Sequence, residues 1–396
     1  MNSDSIPRTM RALVYRGPNN LRLEQVPVPR TGPHELLVKV ATCGVCPTDI
    51  KKIRFGTVPP PRIFGHETAG TIVRVGSSLR GFRVGDRVAL HHHVPCLKCH
   101  ACRHRSFAQC PQYKRTGITA GFEPAGGGYA EYVRVMRFVL PGVVKIPSRN
   151  TFEEGAMLEP VNTVLKGIRR LSLLPNDTVL VVGQGPIGLL FTRLLKLEGQ
   201  RVVAMDLLPQ RAVLAKKFGA DKVLLGKTCS VTPQLSRRTG GLRPQQHLGE
   251  LTTSKVAAFD LLHAAASQDG VLPWLPRTGL DAAIITAPSD DAVQAAHRLV
   301  RSGGKILVFA HTRRGACTSV DLSNVCVDEK DLMGSYSADI TLQKEVARLA
   351  FSRELDVRPL ITHRIPLHDG VAAINLAAEP TRSSLKIFVA VSSGMD

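Results

Sequence analysis

Four cysteines fall within the segment CLKCHACRHRSFAQC, Cys96 to Cys110, at the spacing C-x2-C-x2-C-x7-C. Two C-x2-C steps closed by one further cysteine make a loop able to wrap a tetrahedral ion in four thiolates. Cys96, Cys99, Cys102 and Cys110 would fill the coordination sphere, so such a site is structural and leaves no position open for substrate. Lys98, Arg103 and Arg105 lie in the same stretch and would partly offset the negative charge of a thiolate cage. An iron–sulfur cluster is the competing occupant.

Upstream, CGVCPTDI and FGHETAG bring cysteine, histidine and carboxylates into a different pattern. There are too few thiols here to close a second cage, as expected for a catalytic ion that keeps one position open. Taken alone, the pair of fragments is a weak signal, because a histidine in an apolar stretch is more often packed in a core than bound to a metal.

A third pattern is VLVVGQGPIGLL, in which Gly183, Gly185 and Gly188 form G-x-G-x-x-G after an apolar strand, with Pro186 and Ile187 opening a helix. In that setting backbone amides and the helix N-terminus can hold a pyrophosphate. The next strand ends in Asp206, where an acid can hydrogen-bond the adenosine ribose hydroxyls and repel a 2′-phosphate. NAD is therefore expected over NADP, with Arg211 the one residue that argues the other way.

These residues need a scaffold. From about residue 10 to 150, short β-type runs such as ELLVKVAT, GTIVRVG and GYAEYVRV are punctuated by Gly and Pro, which predicts an irregular β-rich domain. From about 161 to 336, strand and helix alternate (TVLVVG, RVVAMD, KVLLG, LDAAIITA, GGKILVFA), which predicts a doubly wound parallel sheet. The final sixty residues end in the strand SLKIFVAV and are expected to rejoin the first domain. The expected division is 1–160, 161–336 and 337–396.

The chain has 396 residues, 43% of them hydrophobic, enough for two or three packed domains. It shows neither an apolar signal core nor a bilayer-length apolar run, and a soluble, cytoplasmic protein is expected. Nine cysteines, six of them before residue 111, suit metal ligation in a reducing compartment better than a disulfide framework. Cys229, Cys317 and Cys326 have no spacing signal and are expected to be buried or inert. The formal charge of +20 is scattered, and no helix-turn-helix, finger or RNA-binding signature accompanies it. A basic solvated surface is the expectation, with a preference for anionic substrates second and nucleic-acid binding last.

A Gly-rich β domain carrying GHE, a four-cysteine lobe and a following Rossmann domain resemble the zinc-containing medium-chain alcohol dehydrogenase family over nearly the whole chain. The resemblance implies a GroES-like catalytic domain joined to a Rossmann NAD-binding domain, a catalytic and a structural zinc, and a homo-oligomer, dimer or tetramer. It implies Cys46, in place of Cys43, as the first catalytic ligand, His66 as the second, and Glu67 as a neighbouring carboxylate able to exchange onto the metal. It places the third ligand at Glu159 in MLEPVNTV, where many simple alcohol dehydrogenases have Cys, which looks like the polyol and threonine dehydrogenase branches. Cys96, Cys99, Cys102 and Cys110 match the family's structural lobe.

A divalent zinc with one thiolate, a neutral imidazole and one carboxylate sums to zero charge, and remains a Lewis acid able to lower the pKa of an alcohol hydroxyl. By the same resemblance Thr48 takes the proton and Asp49 orients His66. Lys51 stands where some relatives end the proton relay in His. Thr163 is expected against the nicotinamide and Lys386 near the cofactor phosphates.

The expected activity is hydride transfer between NAD and a secondary alcohol: a polyol, sugar-derived alcohol or hydroxy-amino acid. A phosphorylated-polyol dehydrogenase using the basic surface is the alternative among enzymes, and a non-catalytic binding protein on this fold the alternative outside them. His91, His92 and His93 are expected to have packing or surface roles. Gly126 to Gly128 are expected to form a turn serving the next strand. The long stretch near 227–280 predicts an insertion with an extra helix at KVAAFDLLHAAA and Trp274 in the loop beyond it, serving a subunit contact or a lid.

Overall fold

The computed structural model describes residues 6–91, 94–113, 126–225, 279–310, 315 and 317–392. His92, His93, Cys229, Trp274 and the helix expected at KVAAFDLLHAAA lie outside the described residues. Backbone packing divides the chain into two units, Met1–Arg170 with Ser335–Asp396, and Leu171–Gly334.

The first unit is built from β-sheet. Strands β1 (Thr9–Gly17) and β2 (Asn20–Pro27) form a hairpin, and the short β4 (Arg62–Ile63) pairs with the other edge of β1. A seven-stranded sheet is made of β3 (Leu36–Gly44), β5 (Glu67–Val75), β6 (Arg87–Leu90), β7 (Tyr132–Val135), β8 (Val143–Lys145), β15 (Ile361–Pro366) and β16 (Lys386–Ala390). Its order is β15-β16-β3-β5-β6-β8, with β7 also on β3. Strand β3 carries Leu36, Leu37, Val38, Val40 and Cys43 fully buried, because both of its faces pack into the core. Strand β16 pairs antiparallel with β3, Val389 opposite Cys43, so the end of the chain returns to the first unit.

The second unit is an all-parallel sheet of six strands: β9 (Thr178–Val182), β10 (Arg201–Asp206), β11 (Lys222–Leu225), β12 (Leu280–Ile285), β13 (Val300–Val308) and β14 (Asp331–Gly334). They lie in the order β11-β10-β9-β12-β13-β14. Counted within the unit this is the doubly wound order 3-2-1-4-5-6, which reverses direction between β9 and β12. Every residue of β9 is buried, as expected of a central parallel strand covered on both faces. In such sheets ligands bind beyond the carboxyl ends of the strands at the reversal, and Gly183 directly follows β9.

Gly126 to Gly128 lead into β7 and not into a helix; the Gly128 amide donates to the Gly65 carbonyl at 2.9 Å. His91 is buried and packs in the first unit. Cys317 and Cys326 are exposed, so of the two expectations, buried or inert, burial does not hold for them. Their segments have few apolar residues to draw the thiols inward, and the helix Leu322–Cys326 buries none of its side chains. Among the described residues no helix is long and apolar enough to cross a membrane.

Candidate metal centre and nucleotide loop

The helix Pro47–Phe55 sets the first part of the site. Cys46 is its N-cap: the residue is extended, and its sulfur accepts from the Thr48 amide at 3.5 Å. Pro47 opens the helix at the position where its missing N–H costs nothing, and Gly56, at φ 63°, ends it. One face of this helix carries Asp49, Ile50 and Ile53 into the core, so the two aliphatic residues draw a carboxylate in with them. Thr48 and Lys51 stay half-buried. Burial lowers the Lys51 pKa, and the Cys46 thiolate opposes that only in part.

The second part enters at the start of β5. Gly65 adopts φ 97°, and a side chain there would press within 2.8 Å of the Cys43 sulfur and the Tyr129 amide nitrogen. This close approach seats His66 and Glu67 beside the helix. The His66 Nδ1 lies 3.2 Å from the Asp49 Oδ2, and the Gly65 amide donates to the same oxygen at 3.3 Å. The Tyr129 hydroxyl donates to Asp49 at 3.4 Å and to the Gly44 carbonyl at 3.3 Å. Asp49, His66, Glu67 and Tyr129 are all buried.

Ligand atoms of Cys46, His66 and Glu67 lie within 4.8 Å of one another. Glu159, in the first turn of the helix Leu158–Leu171, is buried but is not part of that trio. Its carboxyl is pushed up to about 7, first by burial and then by Glu67 and Asp49, with His66 and Lys386 pulling the other way. For His66, burial lowers the pKa, but Asp49 and Cys46 outweigh it and hold the imidazole well above its usual value. A cation among these groups would keep the carboxylates ionised and displace the imidazole proton. Thiolate, imidazole and carboxylate donors, collected in a buried spot, are the donor set that suits zinc. Cys43 does not join them: its thiol is buried, lies 3.4 Å from the Thr68 hydroxyl, and burial raises its pKa far above the usual thiol range.

Lys386 has protein partners of its own. At the start of β16 it is buried, pairs with Glu67, and donates to the Val45 carbonyl at 3.0 Å. Burial lowers the ammonium's pKa, yet Glu67 and Cys46 more than compensate and leave it raised. Thr163 is buried in the helix Leu158–Leu171, and its hydroxyl donates to the Pro160 carbonyl at 2.9 Å. Sequence reasoning missed three tyrosines. Tyr129 braces Asp49, and the phenols of Tyr113 and Tyr336 lie near enough to Glu159 and Cys46 for those charges to help raise their pKa, after burial. No spacing rule marks any of the three.

In the lobe, Cys96, Cys99, Cys102 and Cys110 also gather their sulfurs within 4.8 Å. The Cys99 and Cys102 sulfurs are 3.5 Å apart, and the Cys96 amide points to the Cys110 sulfur at 3.3 Å. Backbone amides of Lys98 and Cys99 lower the Cys96 thiol to about 6, the direction that favours a thiolate ligand. Four convergent sulfurs fit a tetrahedral thiolate-bound ion.

In the second unit, Gly183 (φ 89°) leaves β9 and Gly185 caps the helix Pro186–Leu197 without any side-chain cap, so its first amides can face an anion. A Cβ on Gly188 would fall 1.8 Å from the Gly183 carbonyl oxygen, so the third glycine is what lets helix and strand meet. Asp206 ends β10 with its carboxylate held by the Gln184 amide at 2.6 Å and the Leu208 amide at 2.8 Å. Arg211 reaches toward the loop, its Nη1 lying 3.9 Å from the position a Gly185 Cβ would take.

Residues 32–148 match the family model described as alcohol dehydrogenase GroES-like domain, and residues 186–352 the one described as zinc-binding dehydrogenase. Sorbitol dehydrogenase of Bos taurus is 30% identical over 368 residues, 91% of each chain. Sorbitol dehydrogenase of Bacillus subtilis strain 168 is 28% identical over 391 residues, 97% of this chain and 98% of that protein. Among solved structures, a zinc-binding dehydrogenase from Sinorhizobium meliloti 1021 bound to NADP superposes with TM-score 0.79 at 25% identity, covering 97% of this chain and all of the other. Galactitol-1-phosphate dehydrogenase from Escherichia coli gives TM-score 0.74 at 22% identity over 96% of this chain and 100% of that one, a likeness of fold.

Proposed function

The chain belongs to the zinc-containing medium-chain alcohol dehydrogenase family, in its polyol-like branch, and we propose that it oxidises a secondary alcohol of a polyol or related compound with NAD. The observation that carries this reading is the convergence of Cys46, His66 and Glu67 within 4.8 Å, backed by Asp49. The reaction converts a secondary alcohol and NAD+ into a ketone, NADH and a proton. Cys46, His66 and Glu159 are the residues that would hold the catalytic zinc, with Glu67 exchanging onto it, and the four lobe cysteines would hold a second ion. When bound, the catalytic zinc supplies a Lewis acid that acidifies the substrate hydroxyl. The nicotinamide supplies the hydride acceptor.

The chain's own residues position the reactants and move the proton. Asp49 engages His66 Nδ1, leaving Nε2 as the nitrogen to face an ion. Thr48 receives the substrate proton at its hydroxyl. Lys51, with its pKa lowered by burial, is better suited than a surface lysine to pass that proton outward. Thr163 borders the nicotinamide. Lys386 is held by Glu67 and the Val45 carbonyl, and its proposed place near the cofactor phosphates rests on the family resemblance. The Gly183, Gly185 and Gly188 loop, with Pro186 and Ile187, receives the pyrophosphate.

NAD is favoured over NADP because Asp206 is fixed by two backbone amides and presents a carboxylate where a 2′-phosphate would sit. Arg211 would stabilise the pyrophosphate side of the loop. A reducing compartment such as the cytoplasm suits the thiol-rich lobe, and assembly into dimers or tetramers follows the family.

The test is NAD+ reduction, with NADP+ in parallel, by metal-replete protein across polyols, phosphorylated polyols, threonine and simple alcohols. Turnover on unphosphorylated polyols with NAD+ is expected. Glu159→Ala should abolish it while NAD binding persists; full turnover by that variant would remove Glu159 from the site.

A further inference from the structure

The helical turn His100–Arg103 presents two imidazoles that the zinc lobe does not use. His100 opens the turn and His104 is its C-cap, so the two are i and i+4. Both are exposed, and their ring centroids are 4.5 Å apart with planes tilted by 58°. Among the described residues neither ring has a hydrogen-bond or ion-pair partner, and their contact is with each other.

The turn is held in place from both sides. The Arg103 amide donates to Cys99 at 3.0 Å, His104 to His100 at 3.2 Å, Arg105 to Cys102 at 2.9 Å and Ser106 to Ala101 at 2.8 Å. Arg105 takes φ 56°, which stops the helix there, and its guanidinium turns to Asp339 at 3.8 Å. Cys99 and Cys102, within the same turn, are tied to Cys96 and Cys110 through the sulfur cluster. The two imidazoles therefore ride on one of the most constrained turns in the lobe.

We infer that His100 and His104 form a third metal site, an exposed bidentate imidazole pair for a borderline divalent ion such as zinc, nickel or copper. The ring spacing supports it. Two imidazoles on one ion, with metal–nitrogen bonds of about 2.0–2.1 Å, place their centroids roughly 4.5–5.2 Å apart when the angle at the metal is about 90–110°. The centroids, 4.5 Å apart, stand at the lower edge of that range, so binding asks the two exposed rings to turn about their side-chain bonds and leaves the backbone in place. Imidazole donors select these ions over magnesium and calcium, which take oxygen. Two ligands leave the remaining positions to water, so this ion exchanges readily, whereas one enclosed by four thiolates does not.

The test titrates Ni2+ into zinc-loaded full-length protein, followed by calorimetry. The expected result is one nickel bound per chain, with affinity falling at least about tenfold in His100→Ala and in His104→Gln, since loss of a direct ligand should cost no less than loss of an outer-shell partner. Zinc content and turnover should be unchanged in both variants. A His92→Ala, His93→Ala double variant should bind nickel like the parent. Nickel binding that survives both single substitutions, that depends instead on His92 and His93, or that is absent from the parent overturns the inference. Should His100→Ala lose its zinc, His104→Gln, beyond the last cysteine of the turn, still decides the matter.

Discussion

Lys386 and Glu67 are a buried pair, and truncating one partner leaves the other charged in a medium that cannot solvate it. Lys386→Met should therefore lose about 3–5 kcal/mol in denaturant titrations, and adding Glu67→Gln should recover much of that. If the two losses simply add, the pair is not coupled. Tyr129→Phe is gentler: it removes a long hydrogen bond to Asp49 and should cost about 1 kcal/mol, while weakening zinc binding roughly tenfold in chelator competition. An unchanged zinc affinity would show that Asp49 holds His66 without help. The four lobe cysteines were legible from their spacing alone, whereas Cys46 and His66 stood out from Cys43 and from an ordinary core histidine only through the family resemblance. Lys386 was not legible in this way, since its contacts lie as much as 341 residues away and no local spacing encodes them. Tyr129 was hidden for the same reason: its hydroxyl crosses 80 residues to reach Asp49.

Elements were read where one period dominates. The β-α alternation from β9 onward was plain because central parallel strands are continuous apolar runs, whereas the hairpin β1–β2 was harder to delimit, only Val26 of β2 being buried. In the fingerprint, Gly188→Ala sets a methyl against the Gly183 backbone, which cannot move aside without shifting the loop. That variant should lose NAD binding by at least tenfold in fluorescence titration while zinc content holds; normal affinity would mean that the helix can slide. A second element, the helix Phe152–Ala156, begins with a capping box between Thr151 and Glu154. Burial raises the Glu154 pKa, but Arg353, the Thr151 amide and Asn150 outweigh it and lower it overall. The stability this gives is complete above the unfolded glutamate pKa of about 4.3 and disappears as pH falls through the lower folded value. Glu154→Gln should cost about 2–3 kcal/mol at pH 7, Arg353 being part-exposed, and should flatten the acid limb of a pH–stability curve. A parallel shift at all pH values would place the effect in packing.

At the scale of the molecule, each unit has its own core, one around β3 and β5 and one around β9 and β12. NAD at a hundred times its Kd should stabilise the second unit by about 2.7 kcal/mol, seen as slower amide exchange in β9 and β10, and chelators should loosen the first unit only. Protection gained equally in β3 would mean that the two units open together. The class of the Rossmann half was legible because strand and helix alternate along it, while the order of its strands came from the fold. The return of the last segment to the first unit was expected from its closing strand, but its register on β3, Val389 opposite Cys43, rests on long-range pairing that no local pattern encodes. That difference in sequence span reaches into biosynthesis. The sulfur cluster is complete once Cys110 has left the ribosome, whereas Glu67 waits for Lys386. At about 5–20 residues per second the two events are separated by tens of seconds. A nascent chain can thus gather its four lobe sulfurs early, while Glu67 spends that interval without its lysine.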